Sequence, residues 1–410
     1  MFFETGNKTE CFGCEACVQV CAKRAITMKE DEEGFRYPVI DQTLCVDCGM
    51  CRNVCPHKNM PRTYEEDKYA FGGYHKDKKV RFESTSGGAF TAIVDTFCDE
   101  NYVIFGAQAK GLRVFHSFVE DKKKLGRHRK SKYLQSEMGS AFRDAKEFLK
   151  QGKKVLFSGT PCQIAGLVNY LGKVDTTNLL TVEVICEGVP SPHYVRKYEQ
   201  AVASKSGEAI EELDYRYTGN GIFSKGKWDF QQMKTVVSNG DEKKTYIKDR
   251  WFNPFWSVWL KHLMSRPSCY ECPFATTKRV ADLSLGDLWG VHLYCPELYG
   301  SNGGSSLIVA NTKKGRYIAK QVKKDMYGHR LHFEDALKYQ SPMRKHIDGN
   351  ENRDAFMKDL MSDMSYQALN KKWADKPDLK LLWQKYVWGN RQKIFVWKMK
   401  RKIFRKKKRN

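Results

Sequence analysis

Two runs of cysteine carry the plainest chemistry in this chain. Cys11, Cys14, Cys17 and Cys21 follow the spacing C-x2-C-x2-C-x3-C, and Cys45, Cys48, Cys51 and Cys55 repeat it with Pro56 after the last. A four-iron cube offers one corner to each of four thiolates. A tight loop caps three corners, and in two-cluster proteins the fourth thiolate comes from the other motif. The spacing therefore predicts one [4Fe-4S] cluster on Cys11, Cys14, Cys17 and Cys55, and a second on Cys45, Cys48, Cys51 and Cys21. Zinc would need only two close pairs at each site and would leave the third cysteine of each run unexplained. Ala22 stands where the second run has its proline; this loosens a turn and costs no ligand.

Four further cysteines are dispersed. Cys162 lies in GTPCQIAGL, Cys186 opens CEGVPS, and Cys269 and Cys272 form CYECPFA. Singly, each has a bland explanation as a small core residue, or as half of a zinc or redox C-x-x-C pair. Together they offer four thiolates at the ends of alternating strands and helices, the usual place for a site in such a sheet. The residues alone leave a third metal site and ordinary core cysteines both open. Cys98 on a helix face and Cys295 in a loop read as core filler.

The elements that must position these thiols follow from periodicity. The cysteine-dense segment ends at Pro61, and Glu65-Glu66-Asp67 reads as a linker. Beyond Tyr69 come an expected helix from Ala89 to Cys98, strands over Tyr102 to Ala107 and Arg113 to Val119, and a helix from Glu137 to Lys150. A strand from Lys154 to Phe157 runs into a helix from Gln163 to Leu171, followed by a strand from Leu179 to Ile185. Further strands are expected at Leu213 to Tyr217, Lys227 to Val237 and Ser305 to Ala310, with an aromatic-rich helix from Asn253 to Met264 and a mainly helical last third. Such alternation predicts an α/β body.

The length of 410 residues suits two or three domains, and 41% hydrophobic residues suffice for real cores. The start lacks a secretory pattern and no run of about eighteen apolar residues occurs, so the expected compartment is the reducing cytosol, where clustered cysteines hold metal. The net charge is +23, and eleven Lys or Arg with no acid fall between Arg391 and Asn410. A second basic stretch spans Lys110 to Lys132. No nucleic-acid reading motif accompanies the charge, so a nucleic-acid partner is not expected. The tail from Trp383 to Arg409 mixes Trp and Phe with basic residues, which suits either peripheral attachment to the inner face of an anionic membrane or a solvated end.

As an ordered set, the cysteine runs, STSGGAFTAI, SKYLQSEMG, VLFSGTPCQIAGL, CEGVPS, CYECPFATTKRVADLSLGDLWG and NGGSSLIVAN resemble the coenzyme F420 hydrogenase/dehydrogenase beta-subunit family over roughly residues 5 to 312. The resemblance implies an α/β (α+β) flavin-binding body over residues 68–350. Before it stands a two-[4Fe-4S] ferredoxin-like domain over residues 1–62, and after it a helical, basic extension over residues 351–410. It implies FAD, and a third [4Fe-4S] cluster on Cys162, Cys186, Cys269 and Cys272. Flavin contacts are implied for Ser86, Gly87, Gly88 and Thr91, for Ser131, Lys132, Tyr133, Gln135 and Ser136, and for Thr160, Pro161 and Gln163. The same Ser/Gly loop would serve equally as a plain helix cap, with Ser86 as the capping residue. Asp282 and Asp287 read as structural or flavin-contact residues. His116, His193 and Tyr133 are candidate proton donors that serve equally as ordinary polar residues.

The function expected from this set is a ferredoxin-linked, FAD-dependent oxidoreductase acting on an organic two-electron substrate, with ferredoxin or another acidic carrier as partner. The alternative is an electron-transfer subunit of a larger hydrogenase or dehydrogenase complex, using coenzyme F420.

Overall fold

The computed structural model describes residues 1–64, 68–203, 208–217, 232–299 and 303–388, with positions 392, 395–396 and 399 beyond them. The acidic linker Glu65 to Asp67, the start of the strand expected at Lys227, Asn302 of the last family motif and most of the basic tail lie outside the described residues. The N-terminal segment contributes an antiparallel pair, β1 (Ile26–Glu30) and β2 (Arg36–Ile40), with short helices at Ala16–Val20 and Met50–Val54. Next come β3 (Tyr69–His75), β4 (Tyr102–Lys110), β5 (Arg113–Val119), β6 (Lys154–Gly159) and β7 (Leu179–Val184). They are followed by β8 (Ala209–Tyr217), β9 (Gln232–Asn239), β10 (Glu242–Asp249), β11 (Leu283–Asp287), β12 (Ser306–Ala310) and β13 (Met326–Leu331).

An eight-stranded sheet runs in the order β13-β3-β12-β11-β7-β6-β4-β5. Its centre, β4, β6, β7 and β11, is parallel, and both flanks are antiparallel. The central strands are apolar on both faces because helices cover both. Val103, Phe105, Val155 and Phe157 point to a core shared with the helices Ala141–Lys150 and Pro161–Leu171, whereas Ile104 and Leu156 point to one shared with Ala89–Phe97 and Lys313–Gln321. This is the period-two alternation of a strand, applied to a sandwich. A separate three-stranded antiparallel sheet, β10-β9-β8, flanks the body.

The ferredoxin-like segment is no appendage. Phe12, Cys14, Ala16 and Val54 belong to the same core as Phe142, Phe157 and Ile164. Gln19 Oε1 accepts from the amide of Phe142 at 2.8 Å, supplying a cap to the helix that starts there. Gly166 permits the closest approach: a Cβ at that position would stand 3.1 Å from Cys14 Sγ and 3.2 Å from Cys14 Cβ.

The helix expected from Glu137 begins instead at Ala141. Glu137 is held in a bridge to Phe115, and Gly139 takes φ +54°, so the chain turns before it coils. The aromatic helix is shorter than expected, Pro254–Leu260. The helices Arg353–Met361 and Tyr366–Trp373 place Phe356, Met357, Leu360 and Leu369 in one core with Trp256 and Trp259, so the boundary expected at residue 350 crosses this core. Among the described residues, no helix is long and apolar enough to cross a membrane.

Candidate metal centres and cofactor site

The four dispersed cysteines converge. Cys162 sits in the first turn of the helix that follows β6, and Cys186 lies two residues beyond the end of β7. These are the carboxyl ends of neighbouring parallel strands, where α/β sheets open their crevices. Pro161 at the helix start and a reciprocal Thr160–Gln163 capping box fix the turn that presents Cys162, and Thr160 Oγ1 lies 3.2 Å from its sulfur. Cys269 and Cys272 arrive on the loop between Leu260 and β11. All four line one cavity of about 90 Å³, where a single water needs about 10–15 Å³. Phe12, Gln135, Arg266 and Arg279 complete much of its wall.

A smaller cavity, about 30 Å³, is lined by Cys11, Cys14, Cys17 and Cys55, so the fourth thiol of the second run stands with the first three of the first. Cys45, Cys48 and Cys51 group at the start of the Met50–Val54 helix, which packs on the Ala16–Val20 helix that ends at Cys21. Among the described residues, no three ligand atoms of these cysteine groups come within 4.8 Å of one another. A tetrahedral zinc with bonds of about 2.3 Å would hold its sulfurs about 3.8 Å apart. The spacing suits a polynuclear group better than one ion.

The thiols also need a cation. Burial, reinforced by neighbouring cysteines, pushes Cys14, Cys17 and Cys186 well above the usual thiol range and Cys269 up to about 12. Burial alone dominates at Cys162, raised to about 11 although Thr160 opposes it. Bare thiolates are disfavoured here, and iron would supply the positive charge that burial withholds.

Arg266, a residue the sequence reading passed over, stands between the two cavities and is 1% exposed. Its Nε donates to the Cys11 carbonyl at 2.9 Å, Nη1 to Gln135 Oε1 at 3.2 Å, and Nη2 to the Arg36 carbonyl at 3.0 Å and to Cys11 Sγ at 3.5 Å. Burial opposes its charge, but Cys11, Tyr37 and Cys269 outweigh that and raise its pKa. Gln135, expected at the flavin, instead ties this arginine to the Phe12 carbonyl, to which its Nε2 donates at 2.7 Å. Gly13 takes φ +65° where a Cβ would meet Gln135 and Arg266 within 3.0 Å, so the ligand loop needs glycine there. Arg279 and Glu183, both buried, form an ion pair that pins the cysteine loop to β7, and Arg279 Nη1 donates to the Phe274 carbonyl at 2.7 Å.

A second locus gathers most of the other flavin candidates. Gly88, at φ +82°, precedes the Ala89–Phe97 helix, and no side chain caps that helix. Ser86, the expected cap of the bland reading, donates instead to the Ser305 carbonyl at 2.9 Å, and Gly87 N donates to Ser306 Oγ. Arg129 donates to Thr91 Oγ1 and pairs with Glu83, and Ser131 N donates to Thr85 Oγ1. Arg81, drawn down to about 10 by burial, donates to the carbonyls of Gly303 and Gly304. Lys132 Nζ donates to the carbonyls of Arg127 and Arg129, and burial with Lys130 nearby lowers it to about 7. An uncapped helix start beside Arg81, Arg129 and Lys132 is suited to an anion.

The remaining candidates lie elsewhere. Tyr133 is packed among Tyr215, Phe255, Trp256 and Trp259. Ser136, Gln163 and His116 form an internal chain: Gln163 Nε2 donates to Ser136 Oγ at 2.9 Å, and His116 Nε2 meets the Ser158 carbonyl at 2.9 Å. That carbonyl requires the Nε2–H tautomer, so Nδ1 accepts from Ser136 Oγ at 2.8 Å. Burial lowers His116 to about 4, which leaves it neutral with both nitrogens used. His193 lies beside Gly34 and Arg196, outside both cavities. Asp282 accepts from Thr181 and Thr312, and Asp287 pairs with Arg216. Much of the basic stretch from Lys110 to Lys132 is spent internally, on pairs such as Arg113 with Glu137, Lys122 with Asp95 and Lys130 with Asp214.

Comparison with known proteins places the two parts. Residues 10–59 match the 4Fe-4S dicluster domain, and residues 152–334 match the C terminus of the coenzyme F420 hydrogenase/dehydrogenase beta subunit. Residues 152–334 therefore carry the C-terminal domain of that family. The chain is 26% identical over 328 residues to a coenzyme F420-dependent sulfite reductase of Methanocaldococcus jannaschii, covering 76% of this chain and 46% of that protein. It therefore spans about half the length of that relative. The dicluster domain is also 34% identical over 55 residues to the ketoisovalerate oxidoreductase subunit VorC of Methanothermobacter marburgensis, 13% of this chain and 70% of that one. Among solved structures, a chain of the F420-reducing [NiFe] hydrogenase complex of Methanosarcina barkeri aligns with 17% identity and a TM-score of 0.43, over 76% of this chain and 91% of the other. These matches give a 4Fe-4S dicluster domain followed by a body similar to the F420 hydrogenase/dehydrogenase beta subunit.

Proposed function

We propose that this chain is the electron-transfer module of a larger oxidoreductase assembly, passing electrons between a ferredoxin-type inlet and a flavin that serves coenzyme F420 or another organic two-electron carrier. The observation that carries the reading is the pair of cysteine cavities divided by Phe12, which lines both, with Arg266 beside them. In this reading Cys11, Cys14, Cys17 and Cys55 hold one [4Fe-4S] cluster, Cys45, Cys48, Cys51 and Cys21 a second, and Cys162, Cys186, Cys269 and Cys272 a third. Phe12 and Arg266 keep the first and third close and dry.

FAD would supply the conversion between one-electron and two-electron transfer. The chain's own contribution is to bind it: the Gly88–Thr91 helix start and Arg81, Arg129 and Lys132 meet its diphosphate, while Thr85 and Ser131 hold the loop. The relative that extends well beyond this chain supports placing substrate chemistry in further segments or subunits. The partner is ferredoxin or another acidic carrier, and the basic tail is assigned peripheral contact with an anionic membrane.

The test is an anaerobic preparation assayed for iron, sulfide and flavin, then for F420 reduction with and without added ferredoxin. About twelve iron and one FAD per chain are expected. About eight iron would remove the third cluster, and a preparation that binds no flavin would remove FAD. A self-contained enzyme would turn over an organic substrate with no partner subunit present, and that result would overturn the module reading.

A further inference from the structure

Outside the lining of both cavities, at the outer edge of the large sheet, three side chains of different chemistry meet. Cys295 ends the short Val291–Tyr294 helix and is 2% exposed, set in a core with Leu288, Leu298, Leu307 and Leu331. As filler it would turn its sulfur to that core. Instead its Sγ lies 3.1 Å from Nε2 of His329, which stands on the edge strand β13. The same Nε2 is 3.5 Å from Glu297 Oε1, and the three ligand atoms lie within 4.8 Å of one another. Pro296 between Cys295 and Glu297 fixes their spacing.

The geometry points to a mononuclear zinc site formed by Cys295, Glu297 and His329. With Zn–S of about 2.3 Å and Zn–N and Zn–O of about 2.0–2.2 Å, tetrahedral ligand atoms stand about 3.5 Å apart, close to the separations found. Thiolate and carboxylate balance the charge of a divalent cation, and a soft sulfur beside imidazole and carboxylate selects zinc over magnesium or calcium. The sulfur comes from the buried side while His329 and Glu297 stand at the solvent rim. The ion is therefore reachable and keeps a fourth position for water. It would clasp the exposed edge strand β13 to the segment that follows the β11 motif, a use for zinc separate from the iron-sulfur path. None of the three residues lines either cysteine cavity.

The experiment uses the full chain with its clusters in place, freed of loose metal by a mild chelator and titrated anaerobically with Zn²⁺ against a chromophoric competitor. One zinc per chain is expected beyond the iron. Removal of an outer-sphere partner already weakens metal sites by about 10–100-fold, so His329→Gln and Cys295→Ser should each weaken binding at least about 10-fold with iron content unchanged. His329 is half exposed, which keeps the test open if Cys295→Ser does not fold. Wild-type protein that binds no zinc, or binds it equally tightly after His329→Gln, overturns the assignment and marks any zinc found as an adventitious ion only.

Discussion

Arg266 allows the cluster assignment to be tested by a number. Its guanidinium is buried, and Nη2 lies 3.5 Å from the Cys11 sulfur. A positive charge there favours the reduced, more negative cluster and so raises its potential. With roughly 6 Å to the cube centre and an effective dielectric of about 20, the interaction is about 2.8 kcal/mol, or about 120 mV for a one-electron couple at about 59 mV per 1.36 kcal/mol. Relaxation and water entry after substitution reduce this, so Arg266→Gln should lower the potential of the cluster proposed on Cys11, Cys14, Cys17 and Cys55 by about 50–120 mV. Arg266→Lys, which keeps the charge, should restore most of the shift. The assay is a redox titration followed by electron paramagnetic resonance, with iron content as a control. A change below about 20 mV, or a shift upward, in protein that retains its iron would refute the reasoning.

Three further outcomes follow from other contacts. Glu183→Gln leaves the buried Arg279 without its counter-charge and should cost about 3–5 kcal/mol in denaturant unfolding, with Arg279→Met in the same chain recovering much of it. Gly166→Val inserts a branched side chain where even a Cβ stands 3.1 Å from Cys14 Sγ, so the N-terminal module should loosen at a cost of about 1–3 kcal/mol, read as faster proteolytic cutting between Pro61 and Lys68. Lys132 gives a pH signature. Its folded pKa of about 7 lies below the unfolded value, so its charging opposes folding, and stability should rise between about pH 7 and 10 as that penalty is removed. An anion bound beside it raises that pKa, so flavin binding near pH 7 should take up about half a proton, seen as a buffer-dependent heat in titration calorimetry; no uptake would place Lys132 away from the ligand.

The metal-binding pattern was legible because cluster motifs are local: the spacing of Cys11 to Cys21 is itself the loop geometry. The central strands were legible for a related reason, since Val155 to Phe157 are buried on both faces and leave an unbroken apolar run. β10 was not, because its residues face solvent almost throughout and carry no alternation to read. The deepest contributors to the candidate centres were hidden for the opposite reason. Arg266, Arg279 and Glu183 are charged residues that sequence arguments assign to the surface, and only the fold brings each its partners. The distances that unite Cys162 with Cys269 likewise depend on how β6, β7 and β11 lie side by side. The Lys110–Lys132 stretch is less open than its composition suggests, as Arg113, Lys122, Arg129 and Lys130 form ion pairs within the protein.

The glycine contact at Cys14 also bears on how the protein matures. Once the Pro161–Leu171 helix lies against the N-terminal module, Cys14 is enclosed between Gly166 and the shared core. Close packing there predicts that iron reaches that sulfur more readily while the module stands away from the body. Chains that close before a cluster is loaded should then fill more slowly. Biogenesis, rather than catalysis, is then the stage at which this packing is most exposed to failure, and iron supplied during synthesis should rescue what iron added afterwards does not.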